Sequence, residues 1–146
     1  MARDTRLSDV LHVLLHMAQV DSALTSEVLA RSMGTNPAVF RRMMSGLRDA
    51  GIVASEKGRG GGWSLSRSID TLTLWDVYRA LGEPTLFAIG SRKGNRDCLI
   101  ERGVNAALGE AMRDAQTVLK ARLQEVTLDT LLPAKPAGGK SLPYPH

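Results

Sequence analysis

The sequence has almost no cysteine, few aromatic rings and no long apolar run, and each shortage excludes something. One thiol, Cys98, stands among 146 residues. A disulfide within the chain is therefore impossible, and so is any zinc site built on several thiolates. Aromatic residues supply 4% of the chain against 43% hydrophobic residues in all, so a core must rest on Leu, Val, Met and Ala. Aliphatic cores of that kind are usually helical. No apolar stretch approaches the roughly 18 residues that a membrane-spanning helix needs. The first residues do not lead into a signal peptide, because His12 and His16 interrupt the apolar stretch behind them. The cytoplasm is the expected location, with no membrane partner.

Charge is modest but unevenly placed. The formal net charge is +4. Between residues 25 and 67, Arg31, Arg41, Arg42, Arg48, Lys57, Arg59 and Arg67 are set against only Glu27, Asp49 and Glu56. Nearly all of the excess therefore lies in one stretch, and a localised basic surface points to a polyanionic partner.

The periodicity predicts a mainly α fold with a small β-hairpin. Leu7, Val10, Leu11, Leu14, Leu15 and Ala18 recur at helical spacing and predict an amphipathic helix over residues 5–19, with His12, His16 and Gln19 on its other face. Thr25 and Ser26 can cap a second helix that runs to Met33, with Val28, Leu29 and Met33 pointing inward, and Gly34 stops it. Asn36 then offers an N-cap and Pro37 a first-turn proline for a third helix over residues 37–50, with Phe40, Met43, Met44 and Leu47 as its inner face. Strand-like pieces over residues 52–55 and 63–66 flank a glycine-rich basic tip. A short helix follows through residues 76–81, stopped by Gly82 and Pro84, and then a loop to residue 97. From Cys98 to Val126 the chain reads as one long helix whose apolar stripe comprises Leu108, Met112, Ala115, Leu119, Leu123 and Val126. Residues 127–132 extend it by a turn. The remainder, 133–146, is rich in proline and poor in apolar residues, which predicts disorder.

Helix, helix, short turn, helix and basic hairpin, in that order, is the arrangement of a winged helix-turn-helix, and its physics suits DNA. The third helix fits the major groove. On it, Ala38, Arg41, Arg42, Ser45 and Arg48 lie away from the apolar face. Arginine reads guanine through two parallel hydrogen bonds and also pairs with phosphate. Thr35 and Asn36, at the helix start, are placed for a phosphate or a base. Lys57 and Arg59 make the hairpin tip positive, and its glycines permit close backbone approach to the minor groove. Double-stranded DNA is the expected partner. No cofactor is expected.

Three segments carry a resemblance to a known family. The run Val10-Leu11-His12-Val13-Leu14-Leu15-His16-Met17-Ala18, the tetrad Ala50-Gly51-Ile52-Val53, and the wing Lys57-Gly58-Arg59-Gly60-Gly61-Gly62-Trp63-Ser64-Leu65-Ser66-Arg67 resemble the Rrf-two family of bacterial regulators. The stretch from Thr35 to Arg42 is similar to the branch whose members lack a full cluster site. The resemblance spans residues 5–132. It implies a homodimeric regulator, most often a repressor, on a palindromic operator, with the long helix as the dimerisation element. Leu108, Met112, Ala115, Leu119 and Leu123 are then its contact residues, and their stripe is wider than packing onto one core requires. Residues 1–82 become the DNA-binding domain, 83–97 a connecting loop, 98–132 the dimerisation helix and 133–146 a tail. Cluster-holding members carry three cysteines between the wing and the long helix. Here Cys98 resembles the last of them and stands alone, so no cluster of that kind is expected.

The same residues admit other uses. Cys98 falls at a helix start near Arg96 and Arg102, which favours a reactive thiolate, whereas Asp97 and Glu101 oppose it. It is a candidate redox sensor beside the simpler reading of a structural cysteine. His12 and His16 sit one turn apart without an acidic or cysteine companion at ligating spacing, and read as a solvated face. No metal site is expected. A winged-helix protein-interaction module is the alternative to a DNA-binding regulator, but it has no need of charge on both helix and wing. The run Gly58-Arg59-Gly60-Gly61-Gly62 lacks the Lys-Ser/Thr of a phosphate loop and opens no helix. No nucleophile has a base beside it, so an enzyme is not expected. The effector is not legible.

Overall fold

A computed structural model describes residues 4–20, 22–57, 62–86, 94 and 98–133. Within them the chain forms five α-helices, one antiparallel pair of strands and a closing 3-10 turn. The tail beyond residue 133, most of the 83–97 loop and Arg59 at the wing tip lie outside the described residues.

Local chemistry sets most helix starts. The second helix, α2 (Ser26–Met33), is capped by the Thr25 hydroxyl, which accepts from the Val28 amide at 3.3 Å. It follows α1 (Arg6–Ala18). The third, α3 (Pro37–Asp49), is capped by Asn36, whose amide oxygen accepts from the Val39 amide at 2.9 Å, with Pro37 in the first turn. The fourth, α4 (Leu74–Ala80), begins with a reciprocal capping box between Thr73 and Asp76. Each cap satisfies backbone donors that the first turn leaves without partners.

One aliphatic core fills the space between these elements. Val10, Val13, Leu14, Leu29, Phe40, Met44, Leu47, Leu72, Val77 and Leu128 are all essentially inaccessible. Two inward assignments need correction. On α1 the buried residues are Val10, Val13, Leu14 and Met17, while Leu7, Leu11 and Leu15 are only partly covered. Both faces of that helix are apolar enough to be the inner one, and the partners it meets select between them. On α2, Leu29 and Ala30 are buried and Val28 is exposed.

The wing consists of β1 (Val53–Glu56) and β2 (Gly62–Leu65), paired from Val53 with Leu65 to Glu56 with Gly62. Both differ by one residue from the strands that the pattern predicts. The pairing continues past the strand ends, where the Ser66 amide donates to Ile52 at 2.9 Å, and a third partner joins it: Leu24, in the α1–α2 connection, exchanges both backbone hydrogen bonds with Trp63, at 2.7 and 3.0 Å. Trp63 is thereby fixed, and its indole N–H donates to the Ser26 hydroxyl at 2.9 Å while its ring meets Phe40 edge-on. Gly62 makes this approach possible. Its φ is +146°, and a Cβ there would run into the Leu24 carbonyl. Gly62→Ala is therefore expected to cost about 1–3 kcal/mol, read as a lowered Tm. An unchanged Tm would mean that the Leu24–Trp63 bridge yields without penalty.

The long helix α5 (Leu99–Glu125) has no buried residue along its 27 positions. It lies along α4, where the Lys120 ammonium sits 5.0 Å from the centre of the Trp75 ring. Past its end the chain is stitched back into the core. Leu74 and Leu128 donate their amides to Val126 and Leu72 at 3.0 and 2.9 Å, and Leu128, in the turn Leu128–Leu131, is completely enclosed.

Candidate nucleic-acid interface

The α3 helix is amphipathic in the sense that the site requires. Phe40, Met43, Met44 and Leu47 hold one face in the core, and the opposite face carries Ala38, Arg41, Arg42 and Arg48, all exposed, with Ser45 half-buried at its edge. Positions seven apart share a face, so Arg41 and Arg48 project together, while Arg42, next to Arg41 in the chain, is turned about 100° toward the recess beside α4. Behind α3, Gly46 permits close contact with α4. A Cβ on Gly46 would lie 2.6 Å from the Ala80 carbonyl oxygen. The arginine face is therefore braced from behind by α4 and from one end by the Asn36 cap.

Not every candidate is equally available to DNA. The Asn36 side-chain oxygen is occupied by the Val39 amide, so its first role is to start α3. Thr35 is half-buried and donates its amide to Ala30 at 3.3 Å. Lys57 is exposed directly after β1. Arg42 borders a recess of about 330 Å³ shared with Arg6, Val39, Met43, Gly46 and the end of α4 at Ala80, Leu81 and Gly82. Sequence reasoning did not single out Arg6. Its guanidinium is held by Asp4 at 2.7 Å, and its hydrogen bonds bring the Asp4 carboxyl down to about 2. That pairing engages Arg6, and Arg42 is the other cation lining the recess.

The dimerisation candidates divide into two groups. Met112, Leu119 and Leu123 are half-buried, whereas Leu108 and Ala115 are exposed. The apolar row also extends further toward the start of α5 than the stripe counted from sequence. Leu99, Ile100 and Val104 are 76, 79 and 51% exposed. The stripe began at Leu108 because the glycine at position 103 and the polar Asn105 interrupt the pattern before it. Cys98 is the N-cap residue of α5, a half-buried free thiol that makes no capping hydrogen bond.

Known proteins resemble this chain over most of its length. A family model described as Rrf2, iron-dependent transcriptional regulator, matches residues 3–134. YwnA of Bacillus subtilis (strain 168), which bears the name of an HTH-type transcriptional regulator, is 32% identical over 130 residues, 88% of this chain and 96% of that protein. A crystal structure named for a DNA binding protein superimposes with a TM-score of 0.69 at 30% identity, covering 86% of this chain and 97% of that one. CymR, the global cysteine regulator of B. subtilis, shares the fold, with a TM-score of 0.59 at 22% identity over 90% of this chain and 95% of its own. The iron in the family description meets no matching donor set here. Clusters are held by several thiolates, and the chain has one. Among the described residues no three His, Cys, Asp or Glu side chains gather where a metal would sit.

Proposed function

The chain belongs to the Rrf2 family of transcriptional regulators, and from that premise we propose that it acts as a homodimeric repressor on a palindromic operator. It is a DNA-binding regulator rather than an enzyme. The observation that carries the finer reading is the pairing of an exposed arginine face on α3 with an unburied apolar row on α5. In this reading α3 enters the major groove with Arg41, Arg42 and Arg48 toward bases and phosphates. Ala38 and Ser45 allow the close approach between them. Thr35 and Asn36 meet the backbone at the helix entry, and Lys57 and Arg59 follow the adjacent minor groove. Residues 1–82 read DNA and 98–132 join the copies. A second copy covers Leu108, Met112, Ala115, Leu119 and Leu123, together with Leu99, Ile100 and Val104. Contiguous apolar surface of that extent is typical of an interface, and a twofold axis through it sets two α3 helices about 34 Å apart on successive major grooves. Cys98, at the head of α5, is placed for its oxidation to alter that pairing.

The test is binding of the full chain to the DNA upstream of its own gene, over a salt series, reduced and then treated with peroxide. Tight binding is expected, with a log–log salt slope of about −0.9 for each phosphate contacted, and weaker binding after peroxide. Indifference to peroxide would remove Cys98 from the reading and leave the regulator. Leu108→Asp combined with Met112→Asp is expected to give a folded monomer in sedimentation and to weaken operator binding by at least tenfold. A dimer that survives both charges would place the interface elsewhere.

A further inference from the structure

Outside the residues proposed to meet DNA, α1 carries an arrangement that this reading does not use. His12 and His16 stand one turn apart, with their Nε2 atoms 2.8 Å from each other and their ring centroids 4.5 Å apart. Spacing of i and i+4 makes two side chains neighbours, but it does not make imidazoles converge, since exposed rings can turn into water. Here they converge on their outer nitrogens. In the neutral pair one Nε2–H donates a hydrogen bond to the other Nε2. The same two nitrogens suit a different occupant. An imidazole nitrogen binds a first-row cation at about 2.0–2.1 Å, so nitrogens 2.8 Å apart subtend roughly 90° at an ion held between them. That is the angle between neighbouring positions of a tetragonal or square-planar ion, and it is narrower than the tetrahedral angle of zinc.

We propose that His12 and His16 form a two-imidazole chelate for a divalent transition cation of tetragonal preference, Cu²⁺ ahead of Ni²⁺. Copper also leads the divalent series in affinity for nitrogen ligands. His12 is exposed and His16 half-buried, so solvent reaches the remaining coordination positions. The torsion about the Cβ–Cγ bond of histidine is broad, and a modest turn of each ring aims both lone pairs at one point. The bound ion would clip one turn of the helix whose other face, Val10, Val13, Leu14 and Met17, lies in the core. Binding therefore also reads out as stability.

The experiment uses the full chain with Cys98→Ser and His146→Ala, which removes the remaining thiol and the third histidine. Cu²⁺, Ni²⁺ and Zn²⁺ are titrated separately by calorimetry, with the visible absorption of the copper form recorded. The expected result is one Cu²⁺ per chain, bound more tightly than Zn²⁺, with a raised Tm. His12→Ala and His16→Ala, introduced singly, should each weaken it by roughly 100-fold, the low end of what a second tethered contact supplies. Copper bound equally well without either histidine would overturn the proposal, as would no stoichiometric binding to the parent. His12 is exposed, so loss of binding in its variant with an unchanged circular dichroism spectrum cannot be ascribed to unfolding.

Discussion

Arg41→Ala combined with Arg42→Ala is expected to reduce operator affinity by about 2–6 kcal/mol for each half-site, at least roughly thirty-fold, at one arginine–guanine contact for each residue lost. Both side chains are exposed on α3 while its inner face stays in the core, so the thermal transition should hardly move. The salt series separates two forms of contact. If both guanidinium groups meet phosphate in each half-site, the dimer loses four contacts, the log–log slope becomes shallower by about 4 and every DNA sequence is affected alike. If they read bases, the slope changes less and discrimination against random DNA collapses. Arg42 borders the recess beside α4, whereas Arg41 does not line it, and the single variants should therefore differ. A double variant that keeps wild-type affinity for the operator would remove α3 as the reading element.

Leu128→Ala is expected to cost about 2–5 kcal/mol. Leu128 is completely enclosed although it lies beyond the end of α5, and its amide donates to Leu72 at 2.9 Å. It joins the C-terminal end of the long helix to the segment that leads into α4. Removing the side chain opens a cavity in the common core and loosens that junction together. At roughly 2–4 °C for each kcal/mol in a chain of this size, the Tm should fall by about 4–20 °C. Leu131→Ala is the control: Leu131 is 40% exposed and should cost under about 0.5 kcal/mol. Equal effects of the two substitutions would mean that the closing turn is not part of the core.

The sequence by itself determined the features whose causes lie within a few residues of one another. Thr25 and Asn36 with Pro37 cap their helices through partners three positions away, so those two starts were readable, whereas the Thr73–Asp76 box starts α4 at Leu74, two residues before the start that the pattern predicts. Readable too was the division of α3 into an apolar face and an arginine face, since a 3.6-residue period either exists in a string of residues or does not. The family resemblance rested on such strings as well. Tertiary structure decided what depends on meeting a distant partner. The choice of Val13 and Met17 over Leu7 and Leu11 as the buried side of α1 was open until α1 had neighbours, because both sides are apolar. The bridge from Leu24 to Trp63 joins residues nearly forty positions apart, and no local pattern announces that pairing. Leu128 read as an extension of a surface helix and proved to be core, because only the returning chain brings it to Leu72. The four-residue spacing of His12 and His16 was plain in sequence, while the convergence of their outer nitrogens depends on side-chain torsions that spacing leaves open. Backbone hydrogen bonds and helical periodicity are short-range and written locally, whereas burial and ring orientation are set by whatever the fold packs alongside.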